Sequence, residues 1–253
     1  MLNLSVWLAA SLMGVLLGLL GAGGSILTVP ILVYLADQPE KLAIAGALFI
    51  VGMTALVACI AHSRKNHLHI QSALFVGIPS MISASGGAYL SQFVEGEVQM
   101  ITLSLIMLLA SLVILFPVNL NRASSDITNY ANAKMSIAGL LIGLVTGFVG
   151  IGGGFLIIPA LLVFSKLTMK QAIGTSLLII AMQSFSGFAK HAFLLKQHAE
   201  QLDWMLIMLI TVFSIFGTLV GFKVSERMSQ HHLKRLFGLL LLPLSGFVLF
   251  NNI

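Results

Sequence analysis

Gly147-Phe148-Val149-Gly150-Ile151-Gly152-Gly153-Gly154-Phe155-Leu156-Ile157-Ile158-Pro159 lies inside an apolar run that covers residues 135–165. That run is longer than one membrane crossing, which takes roughly 20 residues at about 1.5 Å each. Glycines at this density break a helix, because they expose backbone and add chain entropy. The run therefore reads as a broken helix or a helical hairpin. A second long run, 4–35, is broken in the same way at Gly21-Ala22-Gly23-Gly24.

The two runs share a register. Gly14, Gly18, Gly21, Gly23, Gly24 and Pro30 fall on Gly143, Gly147, Gly150, Gly152, Gly153 and Pro159 at a constant spacing of 129 residues. At the same spacing Ala43-Ile44 meets Ala172-Ile173, His62 meets His191 and His69 meets His198. Apolar residues match by chance; glycines, a proline and two histidines in one register do not. The chain reads as two tandem four-segment units, 1–118 and 134–253, joined by a polar linker over 119–133. Six further apolar stretches complete them, at 42–62, 71–92, 98–118, 170–190, 203–222 and 236–251.

Composition supplies the solvent. Hydrophobic residues make up 58% of the 253 and charged ones 8%, against roughly 25% charged in soluble domains. So few charges cannot cover a core of this size in water, which leaves an all-α polytopic protein with the lipid bilayer as its partner. The formal charge of +5 reflects cytoplasmic loops rich in Lys and Arg, and no nucleic-acid partner is expected. The single cysteine, Cys59, excludes an internal disulfide and a cysteine metal cluster. No basic segment precedes the first apolar run, so no cleaved signal peptide is expected.

Charge bias predicts orientation. If each long run crosses once, Lys and Arg divide almost evenly between the two sides. If each is a hairpin, ten of the 13 collect on one side, leaving Lys41, Lys190 and Lys196 on the other. The hairpin reading makes the repeats inverted, with both termini non-cytoplasmic. Residues 24–35 are also too few to span a hydrocarbon core of about 30 Å. Both glycine tips are then expected inside the membrane and near each other, a recurring transporter plan.

A helix start offers N–H groups without intrahelical partners and a partial positive charge, and glycine lets a ligand approach them. The candidate anion-binding residues are Gly21, Gly23, Gly24, Ser25, Gly150, Gly152, Gly153 and Gly154, with Thr175 and Ser176 beside them. His62 and His191, at matching helix ends, either assist the anion and carry a coupling proton or cap a helix C-terminus. Thr175, Ser176 and Gln183 either face the cavity or bond neighbouring helices. Glycines spaced at four, such as Gly14 and Gly18, read as close-packing positions. Thr168-x-x-Gln171 reads as a capping box, and Lys190 as a snorkelling residue. All eight carboxylates fall in loops or at segment ends, which disfavours a cation carrier. A catalytic reading lacks membrane aspartates and a His-Glu-x-x-His motif, and no cofactor is expected.

The pattern Gly147-x-x-Gly150-x-Gly152-Gly153-Gly154-x4-Pro159, with its second copy from Gly18 to Pro30, resembles the sulfite exporter TauE/SafE (TSUP) family over essentially the whole chain. Gly174-Thr175-Ser176-Leu177 and Asp203-Trp204 resemble further elements of it. The resemblance implies an inner-membrane permease for small anions, with sulfur oxyanions or organosulfonates as substrates of some members. Ser25 replaces the usual third glycine, and Ala45-Gly46-Ala47 stands where a Thr-Ser pair is common. The competing readings are a non-transporting membrane subunit and an intramembrane enzyme.

Overall fold

Among the described residues the apolar stretches without a glycine cluster are helical, because in hydrocarbon a backbone N–H finds only its own segment's carbonyl four residues back. The computed structural model describes residues 4–21, 24–65, 67–115, 131–150, 152–154, 157–158, 160–161, 165, 167–197, 201–225, 239 and 242–251. Gly23, Pro159, His198 and linker residues 119–130 lie outside them. The helices are α1 (Leu4–Leu20), α2 (Ser25–Pro30), α3 (Glu40–Ser63), α4 (Ile70–Leu90), α5 (Gly96–Leu115), α6 (Ala131–Val149), α7 (Met169–Gln197) and α8 (Trp204–Ser225). Residues 242–250 are also helical.

The helices α3, α4, α7 and α8 are long and apolar enough to cross a membrane, and shorter apolar helices accompany them. Ile82, Leu109, Leu141, Met205 and Phe216 stand exposed on the outside, a surface that suits lipid. The chain is an all-α polytopic membrane protein.

Both long runs fold back as hairpins. Gly21 (φ +70°) and Gly150 (φ +80°) end α1 and α6 in the left-handed region that only glycine enters freely. After the first turn, the Thr28 hydroxyl reaches the Met13 sulfur at 2.9 Å, and a Cβ on Gly24 would strike the Met13 carbonyl. After the second, Ser165 reaches the Met135 sulfur at 3.4 Å. Residues 25–35 thus return beside α1, and Ser165, past the second break, lies beside the start of α6.

Contacts along the helices give their directions. Gly14 and Gly18 of α1 meet Ser214 and Thr218 of α8, so these two run parallel. Gly139, Gly143 and Gly147 of α6 meet Val76, Ser80 and Ala84 of α4, another parallel pair. At each of these glycines a Cβ would overlap the partner's backbone. With little hydrophobic drive between helices in lipid, such contact is how they associate. Across the crossings the Ser214 and Thr218 hydroxyls donate to the Ala10 and Gly14 carbonyls, at 3.2 and 3.0 Å. The α3 helix runs parallel to α8, pairing Phe49 with Trp204 and His62 with Phe222. It runs antiparallel to α7, with Phe49 on Phe188 and His62 near Gly174. The α7 helix in turn runs parallel to α4, with Met182 on Gly77 and Ser186 on Ser85. Helices α1, α3 and α8 therefore point one way, and α4, α6 and α7 the other.

Two boundaries differ from the sequence expectation. The α6 helix begins at Ala131, inside the stretch read as linker. The α7 helix continues to Gln197 instead of ending near 190, since Leu194 and Leu195 are buried and hold its last turns to the bundle. His62 sits in the last turn of α3, but His191 does not end its helix. The expectation of matching helix ends is corrected there.

Candidate functional site

The two hairpin tips meet. A Cβ placed on Gly152 would lie 3.3 Å from the Ser25 Cβ and 3.5 Å from the Ser184 hydroxyl. Gly152 (φ +68°) and Gly153 (φ +57°) take left-handed backbone here, and a Cβ on Gly153 would strike the Thr146 hydroxyl and the Gln183 amide. Ser25, at the start of α2, and Gln183, Ser184 and Thr146 around the second tip are all fully buried.

Carbonyls at the second break are held by side-chain donors. Gln183 Nε2 donates to the Gly152 carbonyl. His191 Nε2 pairs with the Gly147 carbonyl at 2.9 Å, and Gln99 Nε2 donates to the Phe148 carbonyl at 2.7 Å. The last carbonyls of α6 would otherwise lack partners, so their partial negative charge is largely neutralised. Beside Gly152 and Gly153, the Ser184 hydroxyl and Gln183 Oε1 are buried with no hydrogen-bond partner among the described residues. An unpaired buried polar group costs about 1–3 kcal/mol; a bound oxyanion would accept from the Ser184 hydroxyl, whereas Gln183 Oε1, an acceptor, needs the proton of a water or of a protonated ligand.

The remaining candidates divide. Ser176 joins the first tip, bonding the Ile173 carbonyl at 2.8 Å and approaching the Gly21 carbonyl at 3.4 Å. Thr175 points elsewhere and accepts the His69 N–H at 3.0 Å. Gly24 packs against Met13 and Leu17, while Gly154 starts the second arm and is buried. His62 is buried at the end of α3, beside Gly174 and Phe222. Its two ring nitrogens lack partners among the described residues, and the ring packs on Phe222 and His67 with centroids 4.7 and 5.9 Å away. Outside the spans, burial, then the Lys170 and Lys65 ammonium groups, hold the His67 imidazole below its ordinary 6.5. The capping box forms, with Thr168 N–H to Gln171 Oε1 at 3.1 Å and Gln171 N–H to the Thr168 hydroxyl at 3.4 Å.

The described carboxylates keep away from the tips. Asp37, Glu40, Glu95, Glu97 and Asp203 stand in loops or at helix ends, and Asp203 caps α8 by accepting the Leu206 N–H at 3.0 Å. No group of three metal-ligating side chains forms among the described residues.

Residues 6–248 match the family model described as sulfite exporter TauE/SafE. The chain belongs to that family. A probable membrane transporter protein of Xylella fastidiosa (strain Temecula1) is 30% identical over 96% of this chain and 94% of its own length. One from Methanocaldococcus jannaschii is 25% identical over 94% and 92%, and YunE of Bacillus subtilis is 24% identical over 93% of each. No solved structure matches the chain. This TauE/SafE family member is a membrane transporter and not an enzyme.

Gln183 entered the sequence reading only as a polar residue in an apolar span, and Thr146, Ser184 and Gln99 did not enter it. The signal they carried was the same: a lone polar side chain at membrane depth, which is costly unless it is used.

Proposed function

We propose that the chain carries a small anion, of the sulfur oxyanion or organosulfonate class, through the site between its hairpin tips. The observation that carries this reading is the sorting of polar groups at the second break. Carbonyls are tied down by His191, Gln99 and Gln183, while the buried Ser184 hydroxyl has no partner among the described residues and remains to donate to a ligand. The family's description as a sulfite exporter supports the class of substrate, and the absence of described carboxylates at the tips supports its sign.

Transport proceeds by alternating access between two inverted repeats, 1–118 and 134–253, in a bacterial-type inner membrane with both termini outside the cytoplasm. The opposed directions of α1 and α6 and the reciprocal contacts support that arrangement. At the repeat spacing, Gly21 on Ile173 answers Gly150 on Ile44; Gly14 on Ser214 resembles Gly143 on Ser80, with the serines 134 residues apart rather than 129. The histidines break this correspondence. His191 holds the Gly147 carbonyl, while His62, its counterpart, holds nothing among the described residues. In the opposite state of the cycle, His62 takes the Gly18 carbonyl and His191 releases Gly147. A proton taken up by the freed imidazole would couple transport to pH.

Uptake into proteoliposomes of sulfite, sulfate, thiosulfate and small sulfonates, with and without a pH gradient, tests the reading. Saturable flux of at least one of these anions is expected, reduced by Ser184→Ala. No flux of any of them, or flux indifferent to that substitution, overturns it.

A further inference from the structure

A groove of about 660 Å³ opens between α4 and α7, lined by Met81, Ser85, Met182, Ser186 and Lys190 among others. The two helices run parallel here, so residues four apart on each form level rungs about 6 Å from one another. The outermost rung is cationic. Lys190 Nζ lies 4.8 Å from the centre of the Tyr89 ring and 5.4 Å from that of Phe193. These two rings are its only interaction partners among the described residues.

The next rung is hydroxylic. Ser186 donates to the Met81 carbonyl at 2.7 Å, and the Ser85 and Ser186 hydroxyls stand 2.7 Å apart. With the Ser186 proton on Met81, Ser85 supplies the proton between them. Ser85 can turn it to another acceptor, trading one bond for another. The third rung, Met182 and Met81, is apolar.

The cationic end belongs at the membrane interface. Tyr89 packs on Phe93 and Trp204 on Phe49 at this end of the bundle, and aromatic residues gather at that depth. Cation, hydroxyl and apolar surface then follow one another from the interface inward. That is the order of phosphate, glycerol ester and acyl chain in a phospholipid.

We propose that this groove binds an anionic phospholipid, its phosphate on Lys190, its ester against Ser85 and its acyl chain along Met182 and Met81. Charge complementarity selects the occupant: the ammonium has no carboxylate partner among the described residues, and a zwitterionic headgroup would place a second cation beside it. The site is separate from the hairpin tips and stands whatever the transported substrate is.

Native mass spectrometry of the full chain in mild detergent, with equal amounts of phosphatidylglycerol and phosphatidylcholine, tests it. One lysine near a membrane surface contributes about 1 kcal/mol, so roughly fivefold preference for the anionic lipid is expected. Lys190→Gln should abolish the preference and Lys190→Arg should retain it, which separates loss of charge from loss of fold. Ser85→Ala should weaken retention of both lipids. Equal retention of the two lipids by the wild type, or undiminished preference in Lys190→Gln, overturns the proposal. Displacement by inorganic phosphate as readily as by intact lipid also overturns it, since the groove would then be reading phosphate alone.

Discussion

At the first break, Gly24 packs on Met13 and Leu17, and Thr28 turns its hydroxyl to a methionine sulfur. At the second, the corresponding Gly153 faces Ile142, Thr146 and Gln183. The paired positions deeper in the bundle differ in the same sense. Thr54 spends its hydroxyl on its own helix, at the Ile50 and Val51 carbonyls, whereas its counterpart Gln183 reaches across to the Gly152 carbonyl. Ala55 stands where the other half has Ser184. The two breaks thus carry different chemistry: around the first, Gly24 and Thr28 meet Met13 and Leu17, while the second is lined by Thr146, Gln183 and Ser184. On the proposed reading, the side chains around a break decide whether it recognises a ligand.

The largest effect should come from Gln183→Leu, which strips the Gly152 carbonyl of its donor and unpins the tip. Anion flux into proteoliposomes should fall about a hundredfold, at the upper end of leaving a buried group unpaired. Thr54→Val at the matching position should leave flux within about twofold, since its hydroxyl serves only its own helix. Equal losses in the two variants would erase the distinction between the tips. Ser184→Ala should be milder, about tenfold, the loss of a single hydrogen bond to a charged ligand.

The histidines sharpen the comparison through stability. His191→Phe leaves the Gly147 carbonyl unpaired and should cost about 1–3 kcal/mol, visible as a lower unfolding midpoint in detergent. His62→Phe removes a ring that makes no hydrogen bond among the described residues, so the midpoint should move less. If the two histidines exchange roles during transport, both variants should slow flux although only one lowers stability.

The smallest effect concerns pH. The His67 imidazole is held below 6.5 in the folded chain, so between that lowered value and 6.5 the unfolded chain binds more protons. Stability should therefore decline as pH falls below 6.5. The part of the slope that His67→Gln removes, measured by thermal unfolding between pH 5 and 7.5, reports this residue. No change in slope would show that His67 does not contribute.

Much of this was legible in sequence because lipid permits so few solutions. Long apolar runs had to be helices, and runs twice broken by glycine had to turn. The charges of the loops pointed to hairpins, and the fold-back of Thr28 onto Met13 bears that out. The site was legible only in part. Gly152, Gly153 and Ser25 do come together, yet Thr175 serves a loop and Gly24 serves packing. Sequence spacing places residues along one helix; it does not say which neighbour a given face meets. Gln99 illustrates the gap, since its partner Phe148 belongs to another helix 49 residues away.

By itself the sequence determined the solvent, the helices, the glycine breaks and the family. The first three follow from composition or from local backbone preference, which a chain carries before it folds; the family follows from the resemblance of its glycine motifs. Only the tertiary structure decided that α1 lies along α8 and α6 along α4, and that the second tip is the polar one. Those outcomes depend on which distant faces pack together: His191 found the Gly147 carbonyl, and His62, at the corresponding position, found the ring of Phe222.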